Sequence, residues 1–81
     1  MEAKIIGNRI KKIMEIEGIK TEKLANILEI TSSELEKKLN GKEEFYISEI
    51  MKIKELFHLN LEVFTKLFFE ENVTLEEFII N

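Results

Sequence analysis

The chain contains no cysteine, proline, tryptophan, aspartate or glutamine, and its only histidine is His58. Without cysteine there is no disulfide staple and no thiolate metal site. A Ser-His-acid or Cys-His constellation would have to be built around His58, and no nucleophile pattern surrounds it. A metal centre needs several converging His, Cys or carboxylate ligands, and no such spacing occurs. Neither an enzyme nor a cofactor site is therefore expected. No apolar run approaches the roughly 18 residues of a membrane span, and no signal-peptide pattern opens the chain, so a cytoplasmic protein is expected.

What is present is helical and charged. The 81 residues are 44% hydrophobic and 35% charged, which is globular composition and suits one domain over residues 1–81. A chain this short hides only about 60% of its unfolded surface, so packing alone, or packing plus a dimer, must hold it. The net charge of −4 argues against nucleic acid when taken whole. Its distribution argues differently. Residues 1–42 hold nine Lys/Arg against seven Glu, whereas residues 43–81 hold three Lys against nine Glu.

Apolar residues recur at helical spacing throughout. Ile6, Ile10 and Ile13 predict a first helix from about Lys4 to Glu17, ended by Gly18. Lys20 or Thr21 opens a second helix with Leu24, Ala25 and Leu28 on one face, and Thr21 is the better N-cap by chemistry. Thr31 followed by Glu34 is a capping box that starts a third helix, with Leu35 and Leu39 inward and Asn40-Gly41 at its end. Ile47, Ile50, Ile53, Leu56 and Phe57 trace a fourth helix to His58. Asn60 caps a fifth, with Leu61, Phe64, Leu67 and Phe68 inward. Thr74 with Glu77 predicts a further capped turn in the tail.

The segment from Leu24 to Leu39 has the pattern of a helix-turn-helix. Ala25 is small where two helices cross, Ile30 fills the turn, and Leu35 and Leu39 anchor the second helix. With Ile6-Gly7-Asn8-Arg9-Ile10, Gly18 to Ala25, Leu39-Asn40-Gly41-Lys42 and Ser48 to Ile53 in register, the chain resembles the Cro/repressor-type (XRE-like) helix-turn-helix family of phage and bacterial regulators. The resemblance covers about residues 4–66. It implies an all-α, five-helix, lambda-repressor-like domain that binds double-stranded operator DNA, commonly as a homodimer.

Site residues follow from the resemblance where positions match. Thr21, opening the second helix, would touch a phosphate. Ser32, Ser33 and Lys37 occupy base-facing positions of the third helix, behind its cap Thr31, and Lys37 would donate to guanine O6/N7. Asn40 and Lys42 sit where the family clamps the backbone. Arg9, Lys12 and Lys38 would add phosphate charge if their faces point toward DNA. The sequence departs from the family at Glu34, Glu36, Glu43 and Glu44, which bring carboxylates to or beside the third helix. Glu29 replaces the usual turn glycine, Met14 a frequent arginine, and His58 stands where relatives carry glycine.

The same residues also fit plainer roles. Thr31, Ser32 and Ser33 suffice as a capping segment, and Glu34 with Lys38 is the i, i+4 pair of a solvated helix face. The carboxylates motivate an alternative function: a protein-interaction module that kept the fold and lost the groove contact, such as an antirepressor or an inhibitor of polymerase or host-defence proteins. Five of the six Phe lie at or after Phe57. That surplus predicts a homodimer interface including Phe64, Phe68, Phe69, Phe78 and Ile80, or a docking face for another protein.

Overall fold

Five α-helices form where the apolar spacing predicts them. A computed structural model describes residues 2–70. Its helices are α1 (Ala3–Glu17), α2 (Thr21–Leu28), α3 (Ser32–Leu39), α4 (Ile47–Leu56) and α5 (Leu61–Phe68), with no strand among the described residues. The Thr74–Glu77 cap and the apolar tail lie outside those residues. Among the described residues, no helix is long and apolar enough to cross a membrane.

Each helix sends one residue to the centre of the core. Ile10, Leu24, Leu35, Ile53 and Leu67, from α1 to α5 in order, are fully buried. Burying each such side chain stabilises the fold by roughly 1.5–3 kcal/mol. Around them α1 packs on α3 and α5, and α2 on α3 and α4. Ala25 is buried as a close helix crossing requires.

The first four helices end alike. In each, a backbone N–H two or three residues past the helix donates back into the final turn: Ile19 N–H to Met14 O at 2.9 Å, Ile30 to Ala25 at 3.0 Å, Lys42 to Lys37 at 2.8 Å and Leu59 to Lys54 at 3.0 Å. This Schellman closure needs a left-handed residue just before it. Gly18 and Gly41 supply it at two ends, and Glu29 (φ 61°) and His58 (φ 53°) at the other two. A side chain in that conformation costs roughly 1–2 kcal/mol. Glu29 thus provides the tight turn between α2 and α3 under strain.

Two glycines set how close α1 lies to the end of α3. A Cβ on Gly7, in the middle of α1, would stand 2.0 Å from the carbonyl oxygen of Leu39. A Cβ on Gly41 would stand 2.6 Å from Cα of Lys4. Both neighbours are backbone, so neither gives way.

Several local expectations are corrected. The N-cap of α2 is Lys20, whose extended backbone precedes the helix and offers no side-chain cap, and Thr21 is the first helical residue. Helix α4 closes at Leu56, so Phe57 and His58 form its end rather than its last turn. Ile47, first in α4, is 78% exposed and contributes nothing to the core. Leu61 is 75% exposed although Phe68, seven residues on and close to the same bearing, is buried. The core therefore stops short of the first turn of α5 on that side. Thr31 and Asn60 cap as expected, accepting from Glu34 N at 3.0 Å and Val63 N at 2.9 Å.

Candidate nucleic-acid interface

Helix α3 owes its position to its two ends and one buried ion pair. At the start, Thr31 Oγ1 accepts from Glu34 N, and Glu34 Oε1 accepts from Thr31 N, each at 3.0 Å. Glu34 therefore turns back along the helix axis instead of reaching outward. The hydrogen bond from the Thr31 backbone, then that with its side chain, holds the Glu34 carboxyl below the usual carboxylate range, with Lys38 and Lys37 adding to the effect.

On the inward side, Lys38 is 3% exposed. Its Nζ meets Glu49 Oε1 at 2.5 Å and lies 4.2 Å from the centre of the Tyr46 ring. The same Glu49 oxygen accepts from Tyr46 N at 2.8 Å, so one carboxylate both pins α3 and starts α4. Lys38 is thus not available to DNA, contrary to the expectation from its place beside Lys37. Arg9 is likewise buried: its Nη1 donates to the carbonyls of Lys66 at 2.8 Å and Leu67 at 3.2 Å and to that of Glu70, closing the end of α5. Burial lowers the Arg9 pKa, and nearby Glu70 partly restores it. The condition under which Arg9 and Lys38 would meet phosphate is not satisfied. Lys12, half-buried, pairs with Glu15 at 3.2 Å.

The outward side of α3 carries Ser33, Lys37 and, at its end, Asn40, all exposed. Ser33 and Lys37 are one turn apart and share a bearing, whereas Ser32 is half-buried. Exposed Thr31 and Lys42 stand at the two ends of the helix. Beside this stripe an open groove of about 520 Å³ brings Thr21 and Asn40 together with Lys11, Lys20 and Glu36. Lys11 Nζ donates to Asn40 Oδ1 at 2.6 Å. That contact orients the amide and leaves its NH₂ free to donate elsewhere. Lys11 escaped the sequence reading. The available signal was its place one turn after Gly7, the residue against which the end of α3 packs.

Two charge environments therefore adjoin at the end of α3. Lys11, Lys20 and Lys37 serve one side, with Glu15 and Glu36 among them. Past Lys42, exposed Glu43 and Glu44 lead into Tyr46 and Ile47, which are also exposed. At the other end of the molecule, Phe68 belongs to the core, contrary to its expected place in an interface. Half-buried Phe64 packs against Phe68 with ring centres 5.1 Å apart, and exposed Phe69 sits 5.9 Å from Phe64. Phe78 and Ile80 lie outside the described residues.

A short α2–turn–α3 unit, packed against α1 and α4 with α5 behind α1, defines a small all-α helix-turn-helix domain. The family profile named BetR domain matches residues 2–73, which include all five helices. The chain therefore belongs to the BetR family, small helix-turn-helix-type regulatory domains of phage and bacterial regulators. No curated protein and no solved structure matches it.

Proposed function

We propose that this domain is a sequence-specific DNA-binding transcriptional regulator, a phage or mobile-element repressor or Cro-like protein without catalytic activity, working in the cytoplasm. It binds a pseudo-palindromic operator as a homodimer, with the two α3 helices about 34 Å apart in successive major grooves. The observation that carries this reading is the exposed outward stripe of Ser33, Lys37 and Asn40 on a helix pinned from its other side. Lys37 reads guanine, Ser33 contacts a base or phosphate at short range, and Glu36 accepts from cytosine N4 where it reaches a base. Thr21, Asn40, Lys11, Lys20 and Lys42 hold the phosphate backbone and set the register.

Few cations face outward here, so affinity should fall with salt less steeply than for a strongly basic domain. The test is titration of the protein with its own upstream DNA and with random duplex at low salt. Equal binding to both, or binding to neither, would end this reading.

The α3–α4 corner supports a second reading, a protein-interaction module that does not bind DNA. Glu43 and Glu44 are exposed there beside the exposed apolar Tyr46 and Ile47. An apolar patch rimmed by charge is the usual form of a protein contact. On this reading, Glu43→Lys with Glu44→Lys abolishes capture of a host protein and leaves DNA retention as low as before; improved DNA retention by that variant would count against it.

A further inference from the structure

The loop joining α3 to α4 presents an acidic, apolar groove with an aromatic wall held from behind. The groove is open, about 700 Å³, and lined by Glu43, Glu44, Phe45, Tyr46 and Ile47. Tyr46 and Ile47 are 69% and 78% exposed, and Met51, one turn after Ile47, is exposed too. The Tyr46 ring rests against Nζ of Lys38, whose charge Glu49 balances, and the Tyr46 N–H donates to the same carboxylate. A narrower cleft of about 70 Å³, lined by Ala3, Ile6, Glu44, Phe45 and Ile50, shares Glu44 and Phe45 with the groove. The cations of α4 are directed elsewhere: Lys52 pairs with Glu29 at 3.0 Å, and Lys54 lies 5.7 Å from the centre of the Phe64 ring. Glu43, Glu44 and, one turn past Met51, Glu55 are exposed, with Lys42 the exposed cation next to them in the chain.

The geometry points to an arginine-containing, aliphatic segment of another protein as the occupant of this groove. Its guanidinium stacks on the exposed part of the Tyr46 ring and donates to Glu43 or Glu44. A neighbouring aliphatic side chain enters the Phe45 cleft, and others cover Ile47 and Met51. Arginine suits the groove better than lysine, because its planar, weakly hydrated head stacks on an aromatic face while its fork of donors meets a carboxylate. The inference rests on the protein-contact reading of the α3–α4 corner given above and names the chemistry of the partner. A phosphate backbone or a second copy of the same corner would bring like charge to Glu43 and Glu44, so neither fits.

The groove offers far less than the roughly 20–30 residues a side of a standard interface, so an isolated segment binds weakly.

The experiment is an amide-detected NMR titration of the full chain, without DNA, with short capped peptides of equal length. They alternate Arg and Leu, Lys and Leu, Arg and Ser, or Glu and Leu. The Arg–Leu peptide should bind with a Kd below about 1 mM and shift residues 43–47 and Met51 most. The Lys–Leu and Arg–Ser peptides should bind at least roughly threefold more weakly, and the Glu–Leu peptide should not bind. Glu43→Lys with Glu44→Lys should weaken the Arg–Leu complex roughly tenfold, and Ile47→Ser roughly threefold. These side chains are exposed, so the fold is not at stake, and circular dichroism checks each variant. Exposed Glu17→Lys with Glu22→Lys makes the same charge change outside the groove and should leave the affinity within about twofold at physiological salt. Equal binding of the Arg–Leu and Lys–Leu peptides, or equal losses in the two charge variants, overturns the proposal. Binding of the Glu–Leu peptide at residues 43–47 overturns it too but spares the corner as a protein contact. No shift at those residues with any peptide overturns both. Operator binding is measured separately and does not enter this result.

Discussion

Lys37 and Lys38 are neighbours on one helix and have opposite fates. Lys37 points into solvent on the stripe that also holds Ser33, whereas Lys38 is sealed against Glu49 between α3 and α4. The same division separates Lys11, exposed beside Asn40, from Arg9, buried at the end of α5. Of the nine cations in residues 1–42, at least these two hold helices together and offer nothing to a phosphate. A linear charge balance therefore overstates the positive potential of the α2–α3 face. The Glu34 carboxylate keeps its charge but is turned back to its own helix start.

The largest effect should come from the buried lysine. Lys38→Met leaves Glu49 charged and unpaired, at a cost of about 3–5 kcal/mol of stability by denaturant titration. Adding Glu49→Gln, which removes the stranded charge and keeps an acceptor for Tyr46 N–H, should recover much of that loss. If Lys38→Met is as stable as wild type, the inward placement of Lys38 is wrong.

Lys11→Met should do the reverse. Its stability should stay within about 0.5 kcal/mol of wild type, as for most exposed positions. Its log–log salt dependence of DNA binding should flatten by about one unit for each phosphate it meets. An unchanged slope would show that Lys11 does not meet phosphate.

A smaller effect tests the turn between the two helices. Glu29→Gly relieves the left-handed side chain but frees a more flexible unfolded chain and removes an exposed ion pair with Lys52 at 3.0 Å. The balance should be a gain of about 0.5–1 kcal/mol, seen as a higher denaturant midpoint. A lower midpoint would mean that the Lys52 pair outweighs the strain.

The smallest concerns pH. The folded-state pKa of Glu34 is lowered by its bonds to Thr31, so its contribution is present above the ordinary value of 4.5 and is lost as pH falls through the depressed folded value. Glu34→Gln should therefore be less stable than wild type at pH 7, and the difference should narrow by pH 3. A difference independent of pH would place the contribution in packing instead of ionisation.

Much of this arrangement was legible because it is local. The Thr31–Glu34 box, the Asn60 cap and the stops at Gly18 and Gly41 depend on residues within a few positions of each other, and each formed as its spacing predicts. The strain at Glu29 was legible as a missing turn glycine. What could not be read depends on partners distant in the chain. Lys38 is buried by Glu49, eleven residues on, and Arg9 by carbonyls of α5. Leu61 and Ile47 fit an inward helical period and yet fall beyond the edge of the core at the first residue of their helices. Lys20 replaced Thr21 as the cap because the chain turns one residue earlier than side-chain chemistry favours.

The central claim is that the outward side of α3 reads DNA while its inward side holds the fold. The most direct test titrates wild type and Lys37→Glu against upstream and random duplex at two salt concentrations, with melting temperature measured in parallel. The account predicts a wild-type preference for the upstream duplex that weakens with salt. It predicts loss of about 1–3 kcal/mol of that preference in Lys37→Glu with melting unchanged. A Lys37→Glu protein that discriminates between the duplexes as well as wild type would contradict it.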